Sequence, residues 1–368
     1  MRRPPLWSFV LVSSFVACAS ADHDSSAPGE WARDVPRGSE RRVEEEGPPL
    51  APVEAGRPSD RCFDEPAVVA TEYVTSEVGD HIEKVFAIGS RLLFVHGKEV
   101  ESMPESGGTA SLALAPGYFG FADVVAAGDR VYWLGGGTIQ WSSPLLSSPQ
   151  LVTIYATGGI GLHVDERFVY YAAWLDKEHG YVARHERYHV GNAFPKILLD
   201  VPTTRWIGGT SNRLYLVPSA DDGASSASAV YAATKPDLFD PTLVASWQNA
   251  TPNGLVVDDA GVVVALQGDY GNEDQLIAFG SNGGAQTTLA KAASRSIRHL
   301  AADTVHAYWS ERNGMIRRAT RAGSTAETIA RSRCRVTTIA SVGTNVYVAT
   351  SSDEKKTRQL WRLPKKAP

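Results

Sequence analysis

Between Ile297 and Ala330 the chain alternates short apolar runs with polar turns: IRHLAADTVHAYWSERNGMIRRATRAGSTAETIA. Runs this short, bounded by turn residues, predict strands rather than helices. Ile297–Ala302 is the first strand, and a second ends at Ala307-Tyr308-Trp309. Asn313-Gly314 turns the chain into a third at Met315–Thr320, and a loop carrying Gly323 leads to a fourth at Glu327–Ala330. Four short strands joined by turns predict one antiparallel sheet.

The same sheet recurs along the chain. The ends of the second strands fall at Phe94, Trp133, Tyr171, Leu216, Val264, Trp309 and Val348, separated by 39, 38, 45, 48, 45 and 39 residues. The residue before each mark is Leu93, Tyr132, Tyr170, Tyr215, Val263, Tyr308 or Tyr347. Nine residues before each mark stands an aliphatic: Val85, Val124, Leu162, Ile207, Leu255, Leu300 and Ile339. Third strands align around Val100, Ile139, Val182, Val230, Leu276, Ile316 and Leu360. Repeats three to five are longer because their loops are longer, as around Asp221–Ser228 and Gly268–Asp274.

A repeating four-stranded unit of about 40 residues is the sequence signature of a β-propeller. One blade cannot bury both faces alone, so the blades stack around an axis and each covers its neighbour. The prediction is an all-β, seven-bladed β-propeller over residues 62–368, with six or eight blades as the alternative. The seven aliphatic marks are expected to form a ring of blade-to-blade contacts. The seventh repeat stops at Pro364-Lys365-Lys366 with three strands, while Pro66–Thr71 reads as a fourth strand with nothing before it. Ala67–Glu72 is therefore expected to supply the outer strand of the last blade, leaving no open edge.

The N-terminus has a different pattern. Arg2 and Arg3 precede the apolar run Leu6–Val16, as in a secretory signal. Eleven residues make a helix of about 16 Å, too short for a bilayer core. Residues 19–61 are rich in Pro, Gly, Ser, Glu and Arg, include the charge run Glu40–Glu46, and lack a sustained apolar period. They read as a disordered tether. The net charge of −5 gives no electrostatic reason to expect nucleic acid as a partner. Phe15-Val16-Ala17-Cys18 resembles a bacterial lipobox, with Phe15 in place of the usual Leu. That resemblance implies a signal peptide over residues 1–18, acylation of Cys18, and a lipid-anchored protein of the outer membrane or periplasm. The alternative is cleavage near Ala19 or Ala21 and a soluble secreted protein. The membrane would be touched through the anchor only. Export favours pairing the remaining cysteines, Cys62 and Cys334. The blade plan opposes it, because Cys62 precedes an outer strand and Cys334 an innermost one. Their pairing stays open.

Asp303 and Ala307-Tyr308-Trp309-Ser310, followed by Ile316-Arg317-Arg318, resemble the YWTD-type repeat of LDL-receptor-like propellers, and Val131-Tyr132-Trp133 resembles it more weakly. The repeats are also similar to those of secreted bacterial propellers of unassigned function. YWTD propellers have six blades against the seven counted here, so the resemblance implies only how a blade is built. The Tyr and Trp residues themselves read as packing groups with a polar tip.

Propellers bind ligands where the innermost strands begin, near the channel mouth. There the register places Glu83-Lys84, Ala122-Asp123, Ile160-Gly161, Arg205-Trp206, Asn253-Gly254, Arg298-His299 and Thr337-Thr338. Glu83, Lys84, Asp123, Arg205, Trp206, Asn253, Arg298 and His299 are the candidate ligand-binding residues. The mixed rim suits a protein, peptide or polar small-molecule ligand. No catalytic residue, metal ligand or cofactor is assigned, because nucleophile-elbow, zinc-helix, Walker and calcium-loop motifs are missing. Gly135-Gly136-Gly137 reads as a hairpin turn, and His179, His185 and His189 read as surface histidines on a strand and hairpin. The leading function is a binding or scaffolding module at the cell envelope. The rival is a metal-assisted hydrolase or lyase using Glu83, Asp123 and His299 at the mouth.

Overall fold

The computed structural model describes residues 62–63, 71–74 and 81–365, apart from positions 98, 108–109, 115–120, 144–148, 155, 157, 175–179, 189–193, 202–203, 219–226, 270 and 353–356. The lipobox, Cys18 and the tether lie outside the described residues. So do His179 and His189.

The described residues form seven four-stranded antiparallel sheets and no helix. Blades 1 to 6 span residues 82–114, 123–153, 159–201, 204–248, 250–292 and 297–331. Blade 7 contributes strands Arg335–Val342, Asn345–Ser352 and Thr357–Pro364, and its fourth strand is Thr71–Val74. Each innermost strand contacts those of both neighbouring blades, and the ring closes where Arg335–Val342 meets Ile82–Ile88. This is a seven-bladed propeller.

The recurring sequence spacing has a direct structural cause. Every aliphatic mark is paired across the first two strands with its second-strand mark: Val85 with Phe94, Val124 with Trp133, Leu162 with Tyr171, Ile207 with Leu216, Leu255 with Val264, Leu300 with Trp309, and Ile339 with Val348. A short turn between two paired strands fixes this offset, whatever happens in the longer loops elsewhere.

Strand alternation then divides the work between two interfaces. Each second-strand mark belongs to the apolar cluster shared with the preceding blade, and the residue before it to the cluster shared with the next. Trp133 packs with Leu93, Val95 and Val124 between blades 1 and 2. Its neighbour Tyr132 packs with Leu162 and Tyr171 between blades 2 and 3. Trp309 sits between blades 5 and 6 and Tyr308 between blades 6 and 7. All seven interfaces carry one such cluster. The core is therefore seven slabs rather than one globule. Burying one large side chain in a slab contributes on the order of 1.5–3 kcal/mol.

Two sequence expectations shift. The closing strand extends past Glu72 to Val74: Thr71 pairs with Leu360, Glu72 with Gln359, Tyr73 with Arg358 and Val74 with Thr357, as the expected closure of the last blade requires. Residues 67–70 lie outside the described residues. The opposition between Cys62 and Cys334 is also corrected. The two are disulfide-bonded, with Cα atoms 5.1 Å apart. Phe63 makes an antiparallel bridge to Ser332, and Arg333 N donates to Cys62 O at 2.8 Å. The N-terminal segment thus starts beside the blade 6–7 connection, where Phe63 packs against Trp361 with ring centroids 4.9 Å apart. It then reaches the outer edge of blade 7. Three strand spacings are about 14 Å, and eight residues extend to about 26 Å, so the crossing is within reach.

Candidate functional site

The innermost strands share a second repeated feature, at the mouth where they begin. Six of the seven have a register shift at one position, two residues before the aliphatic mark. The residue skipped by the ladder is Glu83 in blade 1, Ile160 in blade 3, Arg205 in blade 4, Asn253 in blade 5, Arg298 in blade 6 and Thr337 in blade 7. A bulge releases a residue from pairing and re-aims its side chain. Blade 2 has no such shift, and Asp123 begins its ladder opposite Leu134.

The mouth opens into a cavity of about 710 Å3. Of the candidate residues, Glu83, Lys84, Trp206, Asn253, Arg298 and His299 line it, together with wall positions such as Leu255, Leu300 and Ile339. Asp123 is not among the lining residues. Arg205 holds the bulge position of blade 4.

Several rim residues are engaged in joining blades. Lys84 Nζ lies 2.6 Å from Asp123 Oδ1, so a cation and a carboxylate of the expected mixed rim neutralise each other. Asp123 Oδ2 accepts the backbone N–H of Leu162 at 2.9 Å, and its Oδ1 accepts that of Val124 at 2.8 Å. Asp123 therefore ties blade 2 to blades 1 and 3. Asn253 Nδ2 donates to Ile297 O at 3.2 Å, and His299 Nε2 donates to Val336 O at 3.1 Å. Burial lowers the His299 pKa to about 4, with the charges of Arg298 and Arg335 acting in the same direction. His299 is neutral near pH 7. The rival trio is accordingly not assembled as one centre: Glu83 and His299 line the cavity, and Asp123 is engaged between blades.

The blade 6 sector collects guanidinium groups. Partial burial holds the Arg298 pKa below its ordinary value; Arg312, Arg295 and Arg335 push the same way, and Asp274 opposes them. Asp274 is fully buried, accepting N–H bonds from Gly268, Arg295 and Ile297 at 3.1, 2.8 and 2.9 Å. It organises the turn that leads into blade 6. Arg312 and Arg335 are exposed, and Arg298, though partly desolvated by its surroundings, also reaches solvent.

At the far ends of the blades lies a set of latches that the sequence reading missed. The residue following the third strand reaches back to the preceding blade in four cases. Arg187 of blade 3 donates to Tyr132 Oη at 2.9 Å and Ala127 O at 2.7 Å in blade 2. Lys235 of blade 4 bonds Asp165 Oδ2 at 3.0 Å and His163 Nε2 at 2.8 Å in blade 3, and Thr210 O at 2.7 Å in its own blade. Arg321 of blade 6 lies 2.6 Å from Asp258 of blade 5, and Lys365 of blade 7 lies 2.7 Å from Asp303 of blade 6. The cations also lie over the recurrent tyrosines, Arg187 over Tyr132, Lys235 over Tyr170 and Lys365 over Tyr308. Burial opposes ionisation of Asp303, yet Lys365 and the amides of His306 and Val305 hold its carboxyl well below the usual range. His185 is likewise no surface histidine: it is 4% exposed, with Nδ1 3.0 Å from Glu186 O.

No family model matches the chain, and no curated protein matches it. Solved structures do resemble it. Oligogalacturonate lyase from Vibrio parahaemolyticus superposes with a TM-score of 0.62 at 7% identity, covering 83% of this chain and 95% of that one. Oligogalacturonate lyase in complex with manganese gives 0.58 at 10% identity, covering 81% and 96%. The β-propeller domain of the Trilobed protease from Pyrococcus furiosus, described as an open velcro topology, gives 0.57 at 9% identity, covering 78% and 98%. At these identities the likeness establishes the architecture alone, that of a β-propeller.

Proposed function

We propose that this chain is a binding module of the cell envelope that holds an acidic ligand at the propeller mouth. The observation that carries the reading is the ring of bulges. It takes one residue per blade out of the strand ladder at six equivalent positions, and the blade 6 member, Arg298, is under the repulsive charge of Arg312, Arg295 and Arg335. Guanidinium groups brought together repel one another, and an anion relieves that repulsion while accepting paired N–H donors. Trp206, half-buried on the cavity wall, adds an apolar face suited to a sugar ring or aliphatic chain. The net charge of −5 makes the arginine cluster a local exception on the molecule. Lipid acylation at Cys18 would tether the module, and loss of membrane retention in Cys18→Ser is the expected check. The YWTD-like spacing of Asp303 and Tyr308 fits an extracellular propeller but names no ligand.

Two of the resembling folds are oligogalacturonate lyases, so an acidic oligosaccharide is the first probe. Oligogalacturonate is titrated calorimetrically against wild type and against Arg298→Ala with Trp206→Ala, with a neutral oligosaccharide of equal length as control. Binding that weakens with salt, is lost at least tenfold in the double variant, and is absent for the neutral sugar is expected. Equal binding of both sugars, or an unaffected double variant of unchanged melting temperature, would overturn the reading.

A further inference from the structure

We infer that the hairpin joining the second and third strands of blade 1 holds a divalent transition-metal ion through His96, Glu99 and Glu101. The inference is independent of the ligand proposed for the mouth. His96 ends the strand Arg91–His96, and Glu99 begins the strand Glu99–Pro104 directly opposite it. Glu101 lies two residues further along. Cross-strand partners and residues two apart share a face of a sheet, so the backbone register alone puts all three side chains together. One ligand atom from each lies within 4.8 Å of the other two.

The distances suit an ion. His96 Nε2 is 3.5 Å from Glu101 Oε1 and 3.9 Å from Glu99 Oε2. A tetrahedral ion with ligands at about 2.0–2.1 Å spaces its donors about 3.4 Å apart, so the two histidine separations need to close by about half an ångström or less, and the two carboxylates start within 4.8 Å of each other. One imidazole and two carboxylates form a nitrogen–oxygen set that zinc-class ions accept, and three protein ligands leave one position open. The neighbouring chemistry is unusual for this fold position. Leu92, Phe94 and Met103, on the same face of blade 1, belong to the apolar cluster with blade 7, yet Glu101, paired with Phe94, and His96, two residues beyond Phe94, are buried on that face at 6% and 2% exposure. Glu99, 46% exposed, keeps a path to solvent.

Among the described residues, one cation can compete for this place. Arg358 is buried and, by the alternation that turns Leu360 and Ala349 toward blade 1, occupies the facing level of blade 7. A guanidinium neutralising Glu101 would make the group a salt-bridge network rather than an ion site. Calorimetry with zinc chloride on the purified, chelator-treated full chain separates the two. Expected are one equivalent bound with a Kd at or below the micromolar range, a weakening of at least tenfold in Glu99→Gln, and a larger loss in Glu101→Gln. Zinc at a hundredfold excess over the wild-type Kd should raise the melting temperature of wild type by about 4 °C and that of Glu99→Gln by no more than about half as much. Glu99→Gln is half-exposed and keeps the test valid if Glu101→Gln fails to fold. No binding at 100 μM zinc, or binding that Glu99→Gln leaves intact because other histidines supply it, would overturn the inference.

Discussion

His299 and Lys235 show how single buried polar groups are managed between blades. His299 is held neutral, its pKa lowered to about 4 by burial and then by adjacent arginine charge. Burial, followed by the charge of Lys235, lowers that of His163 to about 3. The unfolded chain binds a proton on each near pH 6.5, whereas the folded chain resists it. The stability that depends on the neutral form is therefore complete above about pH 6.5 and is lost as pH falls toward 4. His299→Gln keeps a donor for Val336 O and removes the titration. Between pH 7.5 and pH 5 it should lose on the order of 2 kcal/mol less stability than wild type. Chemical unfolding at the two pH values measures the difference, and parallel losses would contradict it.

Elements differ in how much of them the sequence reveals. The pairing of first and second strands was legible because a short turn joins them: Leu255 opposite Val264 and Leu300 opposite Trp309 appear as a constant nine-residue spacing. The bulge at Asn253 or Arg298 lay at a constant offset as well, but nothing in residues as different as Glu83, Ile160 and Thr337 marks a backbone irregularity. The latches escaped for another reason. Arg187, Lys235 and Arg321 follow the third strand by one residue, but the hairpins before that strand vary in length, so no fixed distance from Tyr171, Leu216 or Trp309 reveals them. The Lys235 side chain is 4% exposed, and its three ammonium hydrogens have three acceptors. Lys235→Met should cost on the order of 3 kcal/mol, by leaving Asp165 and Thr210 O without their partner. Lys365→Met, at a more exposed latch, should cost about half as much. Guanidinium unfolding curves decide this, and a Lys235→Met midpoint at the wild-type value would sink the latch assignment.

At the level of the whole molecule, seven thin sheets exist because each covers its neighbours, and a ring of this kind needs its last joint made. The N-terminal segment makes it twice: through the Cys62–Cys334 bond beside the innermost strand of blade 7, and through Thr71–Val74 along its outer strand. The sequence revealed the missing fourth strand, since the seventh repeat has three strands of its own, but ended it at Glu72 where the pairing runs on to Val74. It left the Cys62–Cys334 bond open, because the blade plan sets an outer-strand position against an innermost one. The closure is tested most directly by cross-linking. In the double variant Glu72→Cys with Gln359→Cys, the two substituted positions are cross-strand partners, within the Cα distance that a disulfide requires. Mild oxidation followed by peptide mapping should find these two positions linked in nearly all molecules, with Cys62–Cys334 intact. A folded protein in which the two introduced thiols stay reduced, or pair elsewhere, would mean that the ring is not closed by this strand.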